Sequence, residues 1–174
     1  MLRVEVSRMY STILVPLDGS ALSERAIPHA RDLALKYGAE ITLLRATALP
    51  DRVYALPDLT AAAYMERYRE TEQETIREYL KTWKERLEAD GLVCHVSHRL
   101  DDAASAIVDQ AEVEDVDLIV MSTHGRGGLD RWVHGSVASK VMRHAPCPLL
   151  LVRVSPGAET RPVSAARQAA TAGT

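Results

Sequence analysis

Five short apolar runs alternate along the chain with stretches of helical periodicity, and that alternation restricts the fold more than any other feature. The runs are STILVPLD, AEITLLRAT, LVCHVSHRL, VDLIVM and CPLLLVRV. After the first, Gly19-Ser20 offers a turn and an N-cap, and Ala26, Ala30, Leu33, Ala34 and Tyr37 fall on one helical face that Gly38 closes. Pro28 sits past the first turn of this stretch and predicts a kink. From Leu59 to Asp90, Ile76, Leu80, Trp83 and Leu87 recur at three-to-four spacing, as in a long amphipathic helix. DDAASAIVDQAEVED predicts a helix opened by Asp101 or Asp102, and GSVASKVMRHA one that Pro146 ends. In LVCHVSHRL, Val93, His95, Ser97 and Arg99 share one face and Cys94, Val96 and His98 the other. The order β-α-β-α-β-α-β-α-β predicts a parallel sheet covered by helices on both faces. Right-handed crossovers put the ends of the first and fourth strands on the same, carboxyl side, where such sheets bind ligands.

Composition narrows the function classes. The 174 residues suit one domain, and 47% hydrophobic with 26% charged residues is ordinary for a globular chain. With 21 basic against 24 acidic residues and no block of like charge, a nonspecific nucleic-acid footprint is missing. Cys94 and Cys147 lack CxxC spacing, which argues against a disulfide framework or a cysteine zinc site and fits a reducing cytosol. Charges at positions 3, 5 and 8 interrupt any secretory core, and no apolar run nears the roughly 20 residues that span a bilayer. A cytoplasmic protein with no membrane segment is expected. Residues 155 to 174, small, polar and aperiodic, read as a disordered tail.

Four of the nine glycines, Gly125, Gly127, Gly128 and Gly135, fall in eleven positions after the fourth strand. Glycine loses the most conformational freedom on folding, so the cluster calls for a geometric return, such as backbone brought close to a ligand. The helix that follows starts at Gly135-Ser136, and its unpaired amides and positive dipole end suit an anion. Ser136 adds a hydroxyl, and Arg126 and Arg131 add charge. A surface connection, or a loop wedged into a subunit contact, is the competing reading. There is no GK dipeptide for a P-loop, and GRGGLD ends in Asp130 where GxGxxG needs glycine.

The stretch MSTHGRGGLDRWVHGSVASKVMRHAPCPLLLVR closely resembles the C-terminal signature of the universal stress protein family, and ILVPLDGSALSERAIPHARDLA resembles its N-terminal one. The likeness covers residues 10 to 154 and implies one domain there. It also implies an adenine nucleotide alpha hydrolase-like fold with strand order 3-2-1-4-5. The family's ATP-binding branch carries Gly-x2-Gly-x9-Gly-Ser/Thr. Gly125 and Gly135-Ser136 match, while Ser122 stands at the first glycine.

By resemblance, Gly125, Gly135, Ser136 and Val137 would hold the phosphates, with His124, Arg126 and Gly128 in the same loop. Asp18, after Pro16 and Leu17, would face the adenosine; Ala46 would offer backbone to adenine; Met121 and Ser122 would line the ribose side. A magnesium ion could bridge the phosphates, although no cluster of protein ligands calls for one.

Asp18 has a competing role in shaping the turn before Gly19-Ser20. His124 lacks a nucleophile or partner base in sequence, which favours loop orientation over catalysis. His95 and His98 would face opposite sides of a strand and make no metal pair. Trp83, Tyr64, Tyr68 and Tyr79 read as helix-face packing, and Cys147 as a small buried hydrophobe. The expected function is an ATP-binding regulatory protein in which hydrolysis, if any, is slow. The alternatives are a non-nucleotide interaction module of the same family and a nucleotidyl transferase, the latter disfavoured by the lack of an HxGH motif. The resemblance also implies a homodimer that pairs the last strand, Pro148 to Val154, whose apolar edge calls for cover.

Overall fold

A computed structural model describes residues 9–48, 57–123 and 136–153. Its elements in chain order are β1 (Thr12–Pro16), α1 (Ala21–Glu24), α2 (Ala26–Tyr37), β2 (Glu40–Ala46), α3 (Asp58–Ala89), β3 (Cys94–Arg99), α4 (Ala103–Val113), β4 (Leu118–Ser122), α5 (Ser136–His144) and β5 (Leu149–Val152). The five strands form one parallel sheet in the order β3-β2-β1-β4-β5. This is the expected doubly wound architecture: the chain moves outward on one side of β1 and on the opposite side of β4, so the order reverses between those two strands.

The period-two alternation of the strands divides the core. Ile13, Val15, Ile41, Leu43, Leu118 and Val120 pack under α2 and α3, against Ala26, Ala30, Ala34, Ile76, Leu80 and Leu87. Leu14, Leu44, Ile119 and Met121 pack under α4 and α5, against Ala104, Ile107, Ala111, Ala138 and Val141. Both faces of β1, β2 and β4 are therefore buried, which is why these strands read as near-continuous apolar runs. The edge strand β3 is less covered: Cys94 is its one buried residue, Val96 on the same face is exposed, and Ser97 and Arg99 reach across to Gln110 of α4.

The expected kink at Pro28 is instead a break three residues earlier. Two helices meet at Arg25, and Pro28 occupies the first turn of the second. Proline lacks the N–H that would bond the carbonyl four residues back, and its ring clashes with that carbonyl, here Glu24. The helix accordingly stops at Glu24 and restarts. Asp102, of the two candidates, caps α4, accepting from Ser105 N at 3.3 Å. Cys147 is half-buried beside the second cluster, short of the full burial its sequence context suggested.

Candidate site at the carboxyl edge of the sheet

Because every strand is parallel, the ends of β1, β2 and β4 open onto one rim, with β1 in the middle. Pro16, the last residue of β1, is paired with Leu44. Leu17 is buried and donates its N–H to Leu44 O at 2.8 Å, so β1 stays anchored to β2 until one residue before Asp18. Asp18 then turns the chain. Its Oδ1 accepts from Ser20 N at 2.9 Å and from Ser20 Oγ at 2.6 Å, while its own N–H donates to Ser23 Oγ at 3.2 Å. Gly19 takes the left-handed conformation the turn requires, with φ 78°. Ser20 Oγ also accepts from Ser23 N at 3.2 Å, the N-cap of α1. The turn-shaping role of Asp18 is thus present in full, and it fixes the carboxylate at the rim.

Ala46 ends β2 at the same rim, half-buried and paired with Arg99. Ser122 ends β4, buried and paired with Val152, and its backbone is free of positive φ. It therefore occupies the first motif position as an ordinary strand residue, where a side chain is accommodated without strain. Met121 is buried in the core under α4 and α5, so only its backbone faces the rim. Ser136 and Val137 open α5, Ser136 exposed and Val137 packed against that core. His124, Gly125, Arg126, Gly128 and Gly135, with Gly127 and Arg131, lie outside the described residues.

Sequence reasoning missed Arg45. It is 8% exposed on β2, and its Nη1 donates to Leu17 O at 3.3 Å, which ties the base of the Asp18 turn to the neighbouring strand. Across the ladder it faces His98, whose imidazole is pushed below its ordinary pKa, chiefly by burial and then by the Arg45 charge. Thr47 Oγ1 and His98 Nε2, at the ends of β2 and β3, are buried and have no hydrogen-bond partner among the described residues. An arginine in an apolar run is the available signal for such a site, since a buried guanidinium needs a carbonyl or acid to satisfy it.

The two cysteines offer no nucleophile. Burial pushes the Cys94 thiol up to about 11, aided by the Glu88 charge, and burial also raises Cys147. Among the described residues no group of three or more His, Cys, Asp and Glu could hold a metal ion. No described helix is long and apolar enough to cross a membrane.

Fold and rim together define an open, doubly wound α/β domain whose strand order reverses between β1 and β4, the position at which sheets of this kind bind ligands. The sequence profile of the universal stress protein family matches residues 9–153. The chain belongs to that family. It is 35% identical over 145 residues to a universal stress protein of Methanocaldococcus jannaschii, covering 83% of each chain. The solved structure of the hypothetical protein MJ0577 superposes with a TM-score of 0.76 at 25% identity, over 86% of this chain and 99% of that one. A universal stress protein solved in complex with cAMP superposes with a TM-score of 0.59 at 23% identity, over 84% of this chain and 98% of that one, a likeness of fold.

Proposed function

We propose that this chain is an ATP-binding regulatory protein of the universal stress type, in which nucleotide occupancy tunes dimer or partner contacts. The observation that carries the reading is the placement of the Asp18 turn beside the end of β4, with α5 starting from the same rim. Asp18 and the backbone of Ala46 serve the adenosine half, with Pro16 and Leu17 as its floor. Ser136, Val137 and the glycine loop serve the phosphates, where helix amides and glycine backbone favour an anion. Met121 and Ser122 line the ribose side. Thr47 Oγ1 adds a buried polar atom next to Ala46, which suits a polar base edge better than an apolar ligand. A universal stress protein of the same fold was solved in complex with cAMP, an adenine nucleotide of the class this reading requires.

The chain is proposed to bind rather than turn over its nucleotide, because neither the sequence motif nor the described residues of the rim name a group to position an attacking water. Magnesium, if bound, is held by the phosphates and not by a protein cage, as expected where Asp18 is the carboxylate at the rim. Residues 10–154 form the binding domain, in the cytoplasm, and residues 155–174, outside the described residues, are a tail. The homodimer forms through β5, an edge strand of four apolar, mostly half-buried residues. Ser122 favours a second reading, an interaction module that has lost nucleotide, because it departs from the glycine of the motif.

Mass spectrometry of small molecules released from the denatured protein, with ATP calorimetry in magnesium, separates the two. ATP recovered and bound, and lost in Gly135→Val, supports the first reading. No nucleotide and no heat would favour the second. Light scattering tests the dimer, and a stable monomer at micromolar concentration would defeat it.

A further inference from the structure

The Asp18 turn is continuous with α1, and α1 is only four residues long. At its start, Ser20 and Ser23 are bonded to Asp18 by the three contacts of 2.6 to 3.2 Å described above. At its end, Glu24 Oε1 accepts from Tyr79 Oη at 3.0 Å and from Trp83 Nε1 at 3.4 Å, both on α3. One carboxylate oxygen thus gathers two donors that lie 55 and 59 residues away in sequence. Burial, followed by the Glu24 bond and charge, raises the Tyr79 phenol, so it remains a donor across the physiological range. A four-residue helix has too few internal hydrogen bonds to hold its own orientation. Its direction is set by what grips its two ends.

We propose that Glu24 is a positioning residue for the adenosine half of the site: through α1 it holds the Asp18 carboxylate at the rim, with α3 as its anchor. The inference rests on the nucleotide reading above and extends it to a residue that touches no ligand. Charge-assisted bonds from neutral donors to a carboxylate are among the stronger side-chain contacts, which suits this role. The Arg45 bond to Leu17 O grips the other side of the same turn, so removing Glu24 leaves the turn tethered to the sheet but loose at its helical end.

The test uses the full chain and four variants: Glu24→Ala, Glu24→Gln, Asp18→Ala and the Asp18→Ala/Glu24→Ala double variant. ATP affinity is measured by calorimetry, and amide exchange over residues 18–23 is followed without nucleotide. Thermal melting confirms that each variant is folded. Glu24→Ala is expected to weaken ATP about tenfold and to speed exchange in the turn, the size expected for losing one well-placed charged contact. Glu24→Gln keeps an acceptor oxygen and is expected to recover most of both. In the double variant, Glu24→Ala is expected to cost nothing beyond Asp18→Ala, because it acts only through that carboxylate. Additive losses, or unchanged exchange in Glu24→Ala, would overturn this inference and leave the nucleotide reading intact. Failure of the folded wild-type chain to bind ATP would overturn the nucleotide reading, and this role of Glu24 with it.

Discussion

Two helices cover the same face of the sheet by different means. α2 lies over β1 and β4, with Ala26, Ala30 and Ala34 turned inward beside a single larger buried side chain, Ile27. α3 lies over β2 and β3 with Ile76, Leu80 and Leu87, and with Tyr79 and Trp83 partly buried beside them. Methyl-sized contacts let a helix backbone settle close to the strands, whereas a row of leucine and isoleucine holds it further off and fills the gap with side chain. α2 is therefore intolerant of added volume and α3 of lost volume. The larger side chains of α3 also include two with polar ends, and Tyr79 and Trp83 both donate to Glu24 of α1.

Truncating a filler of α3 should give the largest effect. Leu80→Ala, at a position 2% exposed, is expected to cost about 2–5 kcal/mol of stability in urea unfolding. A loss below about 1 kcal/mol would show that α3 shifts to fill the space and that its packing is not fixed by these side chains. Next comes the reverse change on α2. Ala30→Leu, at a position with no exposure, is expected to cost about 1–3 kcal/mol by overpacking, although it adds apolar volume. Stabilisation by this substitution would break the comparison outright.

Ser20→Ala removes the cap of the short helix that leads into α2, and about 1 kcal/mol is expected to be lost. An effect as large as that of Leu80→Ala would mean that the α1 turn, not the packing, limits this face. The smallest effect belongs to the surface pair that joins the two helices, Arg31 of α2 and Asp90 at the end of α3, 2.6 Å apart. The hydrogen bond from Arg31, with its charge, holds the Asp90 carboxyl below its ordinary 3.8. A carboxyl depressed in the folded state adds stability above its unfolded pKa and loses it as pH falls through the folded value. Asp90→Asn should therefore lower stability slightly at neutrality and converge with the wild type as pH falls below about 4, which flattens the acid limb of the profile. An unaltered acid limb would show that the pair contributes nothing in solution.

Much of this was legible in the sequence because it depends on local pattern. The five apolar runs, the Ser20 and Asp102 caps, and the Ile76-Leu80-Trp83-Leu87 stripe each follow from residues within a few positions of one another. Pro28 was readable as a disturbance but not as to its place, because the clash acts on a carbonyl four residues upstream. Tyr79 and Trp83 were read as packing. Their polar ends are satisfied by Glu24, more than fifty residues away, and no spacing rule reaches that far. Arg45 interrupts an otherwise apolar strand, and its placement depends on the Leu17 carbonyl of the adjacent strand, a product of register. At the rim, the Asp18 turn was foreseen as one of two roles for that residue, and the hydrogen bonds display the turn-shaping one.

The length of α3 has a mechanical consequence. Its 32 residues extend about 48 Å, while β2 beneath it, at seven residues, reaches about 23 Å. The part gripped by the sheet begins at Ile76, and the described residues before it in the helix are exposed apart from half-buried Met65 and Gln73. Roughly 27 Å of helix therefore runs from the gripped end to Asp58. A tilt of about 10° at Tyr79 and Trp83, where the helix meets Glu24, would swing Asp58, roughly 35 Å away, by about 6 Å, by the rise per residue of a rigid helix. Such a beam turns a shift of about 1 Å beside Glu24 into a displacement several times larger at its far end.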